Sequence, residues 1–143
     1  MYQFNVSTLS FLTSEIYEGF YPTNSFYFDE FTEVTLRKPP KSAQIINKFA
    51  SYPDFHGDYC SASLIKLSKE DYNLLLNELT NDNRIIKGVK LIGSNELDNV
   101  IGNYKEENII HSFTRHIPNE EDHYLYIGFL DDKQTIIVTI CVT

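Results

Sequence analysis

Residues 123–143 read HYLYIGFL-DDKQ-TIIVTICVT, two β-rich runs around a short polar linker. This pattern predicts an antiparallel hairpin with a tight turn at Asp132-Lys133. Beyond the turn, the expected cross-strand pairs are Leu130–Thr135, Phe129–Ile136, Ile127–Val138 and Leu125–Ile140. The last three pairs put only apolar side chains on one face, which specifies the register well. Because a lone hairpin is marginally stable, the rest of the chain must cover that face.

The sequence pattern of the remaining chain predicts a mixture of strands and helices. The expected strands are Tyr2–Val6, Phe26–Leu36, Tyr59–Leu67, Lys87–Ile92 and Ile109–Ile117. The expected helices are Ser42–Ala50, one capped by Ser68 with the apolar stripe Tyr72, Leu75, Leu76 and Leu79, and one capped by Ser94. Residues 10–17 fit a strand or a helix, and Gly19–Ser25 is a predicted turn because it contains Pro22 and Asn24.

The length of 143 residues fits one domain, 1–143. The order of elements predicts an α+β fold with an antiparallel or mixed sheet of five to seven strands. Two or three helices pack on one face of this sheet, and the hairpin closes the chain.

The chain carries a net charge of −8 and lacks a basic run. Such a chain is not expected to bind nucleic acid, which requires a basic face. Its acidic field would instead attract a basic protein. No apolar run approaches the roughly 18 residues of a membrane span, and no basic segment precedes the first apolar residues. We therefore expect neither a membrane anchor nor a signal peptide.

The two cysteines, Cys60 and Cys141, lie in predicted strands without CxxC spacing. This placement predicts buried reduced thiols and a cytoplasmic protein. In an alternative interpretation, Cys60 is a nucleophile served by His56 and the nearby Asp54 or Asp58, within the irregular loop 51–58. His111, His116 and His123 would be other candidate bases or, with His56 and Cys60, metal ligands. Their spacing resembles neither a protease signature nor a zinc site, so we expect no catalytic residue, metal or cofactor.

Acidic residues occur in runs beside aromatic residues, and two runs are candidate partner-binding patches. The first patch flanks the hairpin strands and comprises Glu120, Glu121, Asp122, Tyr124, Tyr126, Asp131 and Asp132. The second comprises Asp29, Glu30 and Glu33. Adjacent carboxylates in turns are ordinarily solvated, but together they form a negative surface complementary to a basic partner.

In size, acidity and aromatic content the chain resembles the small immunity proteins of bacterial toxin systems, such as contact-dependent growth inhibition. The stretches DFHGDY (54–59) and LSKEDY (67–72) add to this resemblance. The resemblance implies a toxin as the partner and leaves its chemistry open. With the acidity of the chain, we expect an antitoxin, not an enzyme, that is monomeric when free and masks the active site of a basic toxin, with a nuclease expected. Two alternatives remain: a small ligand-binding domain or enzyme that uses the His56 loop, and a homo-oligomeric structural subunit.

Overall fold

The computed structural model describes residues 22–51 and 57–143. Its helices are α1 (Asn24–Thr35), α2 (Lys69–Thr80) and α3 (Asn95–Ile101), with a 3-10 helix at Glu106–Asn108. Its strands are β1 (Gln44–Ala50), β2 (Tyr59–Lys66), β3 (Ile85–Lys87), β4 (Ile109–Arg115), β5 (His123–Leu130) and β6 (Thr135–Val142). The expected strand at Tyr2–Val6, the segment 10–17 and most of the loop around His56 lie outside the described residues.

The described strands form one antiparallel sheet in the order β1-β2-β6-β5-β4-β3. The α+β fold class is therefore confirmed. The hairpin register is also confirmed, with the pairs Phe129–Ile136, Ile127–Val138 and Leu125–Ile140. The backbone N–H of Lys133 donates to the carbonyl of Leu130 at 3.1 Å and closes the turn, with Lys133 at a positive φ of 62°.

Helices cover both faces of the sheet. On one face, here called the α1–α2 face, the apolar side of the hairpin packs with Phe31 of α1 and with Leu75 and Leu79 of α2. On the opposite face, here called the α3 face, Leu97 and Val100 pack in a second cluster. Two helices on one face match the prediction, and α3 adds cover on the other face.

The capping predictions for the two later helices are confirmed. The Ser68 hydroxyl accepts a hydrogen bond from the Asp71 N–H, and the Ser94 hydroxyl accepts one from the Leu97 N–H. Each serine thereby satisfies one of the backbone donors left free in a first helical turn. Helix α3 ends at Ile101, and Gly102 follows at a φ of 58°, in the left-handed region that glycine tolerates.

The predictions for residues 26–50 are wrong. The expected strand Phe26–Leu36 is helix α1, in which Tyr27, Phe31 and Val34 are buried at helical spacing. This helix begins at Asn24, so the predicted turn does not extend to Ser25. The expected helix at residues 42–50 is strand β1, and its register shift between Ile45 and Asn47 leaves Ile46 in a bulge.

Two smaller boundaries also differ from the predictions. The short strand expected at Lys87–Ile92 lies at Ile85–Lys87 instead. Residues 88–93 cross the α3 face, where the Ser112 hydroxyl donates to the Val89 carbonyl at 2.7 Å. The strand expected at Ile109–Ile117 ends two residues earlier, at Arg115.

The prediction of reduced thiols is wrong, because Cys60 and Cys141 form a disulfide. They are register partners in β2 and β6. The N–H and C=O of Cys60 both point away from β6, toward Ser51, the residue after β1. The Cys60 N–H donates to the Ser51 hydroxyl, and the Ser51 N–H donates to the Cys60 carbonyl. Cys60 and Cys141 are therefore a non-hydrogen-bonded pair, the type in which opposite Cα atoms approach most closely. Their Cα atoms lie 4.1 Å apart.

None of the described helices is both long enough and apolar enough to span a membrane.

Candidate protein-binding surface

The acidic residues around the hairpin lie at opposite ends of the sheet. Strand β5 starts beside Glu120, Glu121 and Asp122, at the end that also carries the disulfide. It finishes at Asp131 and Asp132, in the turn before β6. We call these the disulfide end and the turn end. The first predicted patch is thus two separate acidic surfaces.

At the turn end, Asp132 has a structural role. Its carboxylate accepts hydrogen bonds from the backbone N–H groups of Gln134 and Thr135, at 2.9 and 2.8 Å, and from the Thr135 hydroxyl. Partial burial raises the pKa of Asp132, but the hydrogen bonds from Thr135 and Gln134 outweigh it and the net shift is downward. Asp132 is therefore a turn-forming carboxylate that stays charged.

Asp131 brings a further acidic segment to the turn end. Its N–H donates to the Asn108 carbonyl at 2.9 Å, and the Asn108 amide donates back to its carboxylate at 3.2 Å. The 3-10 helix containing Glu106 and Glu107, both exposed, is thereby held beside the hairpin turn. These two glutamates were not among the predicted site residues, because only a tertiary contact joins residue 108 to residue 131.

At the disulfide end, the carboxylates surround one imidazole. The Nδ1 atom of His123 lies 3.1 Å from Asp122 Oδ1 and 3.8 Å from Glu120 Oε2. The Thr143 N–H donates to the Asp122 carbonyl at 3.0 Å, which ties the end of β6 to this loop. Glu121 is exposed. A positively charged partner would meet at least one carboxylate here, that of Glu121, which forms no salt bridge with the part of the chain that the structure describes.

The two tyrosines of the first patch, Tyr124 and Tyr126, lie on the α3 face of the sheet and are covered there by other parts of the chain. Tyr126 is 1% exposed, stacks on Tyr124 with ring centroids 5.9 Å apart, and has a pKa raised by burial. The half-buried Tyr124 accepts a hydrogen bond from the Ile92 N–H at 3.0 Å and donates one to the Lys90 carbonyl at 3.2 Å. The pair anchors residues 88–93 to the sheet, and burial leaves Tyr126 unable to touch a partner.

The second predicted patch is divided by the helix itself. Asp29 and Glu33 are exposed on α1, whereas Glu30 is 5% exposed and faces the sheet. The Ser61 hydroxyl donates to Glu30 Oε1, and Oε2 has no hydrogen-bond partner among the described residues. Burial raises the pKa of Glu30 to about 7, although hydrogen bonds from Ser61 and Tyr59 oppose the shift. Glu30 is thus a buried carboxyl and not a contact residue.

Beside the turn end, a groove of about 610 Å³ opens between β1, β2 and the end of α3. Ile46, Leu64, Ile101 and Tyr104 give it apolar walls, and Asp131 is the charged residue that lines it. The Tyr104 hydroxyl donates to Asp132 Oδ2 at 3.4 Å, which holds the ring at the rim. The groove therefore combines an apolar surface with one carboxylate.

Among the described residues, those considered for catalysis or metal binding form no such site. Cys60 is in the disulfide and lacks a free thiol, so it is not a nucleophile, and His56 lies outside the described residues. In residues 22–51 and 57–143, no three His, Cys, Asp or Glu side chains are grouped to hold a metal ion.

Comparison with known proteins gives no relative: no family model, curated protein or solved structure matches this chain.

Proposed function

We propose that this chain is an immunity protein or antitoxin that binds a basic toxin and masks its active site, with a nuclease as the partner. The net charge of −8 supports this class of partner. Carboxylates at the contact would take the place of the phosphates that lysine and arginine residues of a nuclease hold, so binding would exclude the substrate.

The observation that carries the proposal is the distribution of ion pairs. Among the described residues, lysine and arginine side chains form salt bridges only with Glu78 and Asp82, through Arg37 and Arg84. Within that same set of residues, no lysine or arginine forms a salt bridge with the acidic residues at either end of the hairpin. A carboxylate surface that the fold leaves uncompensated is available to a cationic partner, and it speeds association with that partner.

The structure changes which residues form the proposed surface. The turn end contributes Asp131 with Glu106 and Glu107, and the disulfide end contributes Glu120, Glu121 and Asp122. Asp29 and Glu33 on α1 are an additional acidic patch. Glu30 and Tyr126 are left out because they are buried.

Affinity capture at graded salt, followed by an activity assay, tests the proposal. The bait is the wild-type chain, and the matched variants are Glu106→Gln/Glu107→Gln for the turn end and Glu120→Gln/Glu121→Gln for the disulfide end. We expect a partner with a high isoelectric point, slower association with at least one variant, and stoichiometric loss of the partner's nuclease activity. A captured partner that keeps full activity when saturated with this chain would refute the inhibitor role.

A homo-oligomeric subunit is the second candidate, and exposed apolar side chains on β1 favour it. Ile46 and Phe49 are 49% and 40% exposed on this edge strand. Sedimentation equilibrium of wild type and Phe49→Ser separates the two functions. Self-association lost in the variant would support the subunit, whereas the inhibitor proposal expects a monomer in both. No described residue favours the third candidate, a ligand-binding domain or enzyme built on His56.

The compartment is part of the proposal and has its own test. An inhibitor of an imported nuclease acts in the cytoplasm, but disulfides such as Cys60–Cys141 persist mainly in oxidising compartments. Alkylation of thiols in intact cells, before lysis, should label both cysteines if the protein resides in the cytoplasm. Two unlabelled cysteines would instead place the functional protein in an oxidising compartment.

A further inference from the structure

The groove at the turn end has the chemistry of a site for one cationic side chain. Its apolar walls include Ile46, which is 49% exposed, and its rim carries the Asp131 carboxylate. A cation on a long aliphatic stem would bury the stem against the walls and leave its charge at the rim. A purely apolar side chain would leave the Asp131 carboxylate with the neutral Asn108 amide and no cation beside it, and a carboxylate would be repelled.

The backbone around the groove adds negative character. Helix α3 ends here, and the carbonyl groups at a helix C-terminus carry partial negative charge. The Asn47 amide donates to the carbonyls of Asn99 and Val100, at 3.3 and 3.1 Å, and thereby fixes the helix end against β1. Each carbonyl oxygen has a second lone pair, so these contacts leave acceptor capacity beside the groove.

The Tyr104 ring would favour one kind of cation over another. Its ring lines the groove, and its hydroxyl is tethered to Asp132. A planar guanidinium stacks on such a ring while it forms directed hydrogen bonds to a carboxylate, whereas an ammonium is a compact point charge that does not stack. The combination of Tyr104 and Asp131 therefore suits arginine better than lysine.

We propose that this groove is the anchor site for one arginine side chain of the basic partner. This inference rests on the proposed function, because the arginine belongs to the protein that the chain inhibits. The stem lies along Ile46, Leu64 and Ile101, and the guanidinium lies between Tyr104 and Asp131. Buried arginine anchors are frequent among the few residues that dominate binding energy at interfaces. The disulfide end, where His123 contacts the carboxylates, would then speed association with the basic partner through its charge but would not hold the arginine.

The test is an amide-resolved NMR titration of the isotope-labelled chain with a Gly-Ser peptide that carries one arginine. The matched probes replace that arginine with lysine or with citrulline, which keeps the shape of arginine but has no charge. We expect shift changes centred on Leu64, Ile101 and Tyr104 with the arginine peptide, smaller ones with lysine and none with citrulline. Equal shifts with citrulline, or shifts centred on residues 120–122, would overturn the assignment.

Two variants and one control connect the shifts to the groove. Asp131→Asn should weaken arginine-peptide binding by about two- to fivefold, the range of a partly exposed ion pair. Ile46→Trp, at an exposed position, should abolish binding by filling the groove. Glu70→Gln, at an exposed position of α2 on the other face of the sheet, should change nothing. Each variant's spectrum away from the groove shows whether the fold is intact, and unchanged binding in both groove variants would refute the site.

The inference can fail separately from the inhibitor proposal. If a captured basic toxin binds Ile46→Trp as tightly as wild type, the groove is not its anchor and the inhibitor proposal stands. If the captured partner is not inhibited but the arginine peptide still binds at Tyr104, the groove is an arginine site and the inhibitor proposal is refuted.

Discussion

Strands β6 and β1 belong to the same sheet but differ sharply in burial. In β6, residues 135–140 are all buried, including the hydroxyl-bearing Thr135 and Thr139. In β1, Ala50 is the buried residue, whereas Ile46 and Phe49 are largely exposed. β6 has a strand on each side and helices over both faces, whereas among the described strands β1 pairs with β2 alone. Position in the sheet therefore decides how much an apolar side chain contributes, more than the side chain's own hydrophobicity.

The largest effect is expected from removing the disulfide that crosslinks β6 to β2. Cys60 and Cys141 are 81 residues apart, and closing a loop of that length in the unfolded chain is worth about 4–5 kcal/mol by the loop-entropy estimate. Cys60→Ala/Cys141→Ala should lose about this much unfolding free energy in chemical denaturation. Wild type measured in reductant is the control and should behave alike. A loss below about 1 kcal/mol would show that the central strands are stable without the crosslink.

The second prediction compares two phenylalanines directly. Phe129 in β5 is 0% exposed and makes edge-to-face contacts with Tyr72 and Phe113, at centroid distances of 5.1 and 5.7 Å. Phe129→Ala should cost about 3–5 kcal/mol of unfolding free energy. Phe49→Ala on the edge strand should cost under about 1 kcal/mol, since surface substitutions have small effects. Equal losses in urea denaturation would contradict the contrast between centre and edge.

The third prediction concerns the cover that α1 gives to the sheet. Glu30 has a folded pKa of about 7 against an ordinary value of 4.5, so the folded state holds its proton more tightly. The protonated Glu30 therefore favours the folded state, and this contribution to the free energy of unfolding is fully present below pH 4.5. It is lost as the pH rises to about 7, a loss of about 3 kcal/mol. At pH 8, Glu30→Gln should therefore be more stable than wild type, and the difference should shrink toward pH 4.5. Asp29→Asn, at an exposed position of the same helix, is the control; parallel pH profiles for wild type and Glu30→Gln would refute the argument.

The smallest predicted effect comes from the two serine caps. Ser68→Ala should cost about 1 kcal/mol, because the Asp71 N–H loses its acceptor. Ser94→Ala removes the same type of hydrogen bond, from the Leu97 N–H, and serves as the matched variant. Thermal denaturation of both should show similar losses. A neutral Ser68→Ala would mean that water replaces this cap at no cost.

The local sequence pattern was enough to predict the structure where the residues that contact each other are close in sequence. Only four residues, 131–134, join β5 to β6, so the register follows from counting outward from Asp132 and Lys133. Residues 26–50 have no such reference. The aromatic residues of α1 favoured a strand by composition, although Tyr27 and Phe31 have helical spacing, and the bulge at Ile46 broke the alternation by which β1 would have been recognised.

The same distinction applies to the candidate surface and the disulfide. The acidic runs are visible in the sequence, and they contribute Glu121 and Asp131 to the proposed surface. The burial of Glu30 depends on Ser61, and the joining of Glu106 to the turn end depends on Asn108, both contacts across the fold. Cys60 and Cys141 face each other only because β2 and β6 are neighbours, and the sequence carries no signal for that strand order.

The Cys60–Cys141 bond also determines how the molecule would respond to mechanical force. If residues 24 and 143 were pulled apart, tension would pass through α1 and β1 to Cys60 and then directly to Cys141. The segment between the two cysteines would bear no load. Because they are 81 residues apart, the stretched chain would be about 270–290 Å shorter than the fully extended chain without the bond. Under force, α1 and β1 would therefore unfold, whereas α2, α3 and strands β3 to β5, which lie between the two cysteines, would not be under tension. In reductant, the same pull would extend the whole chain.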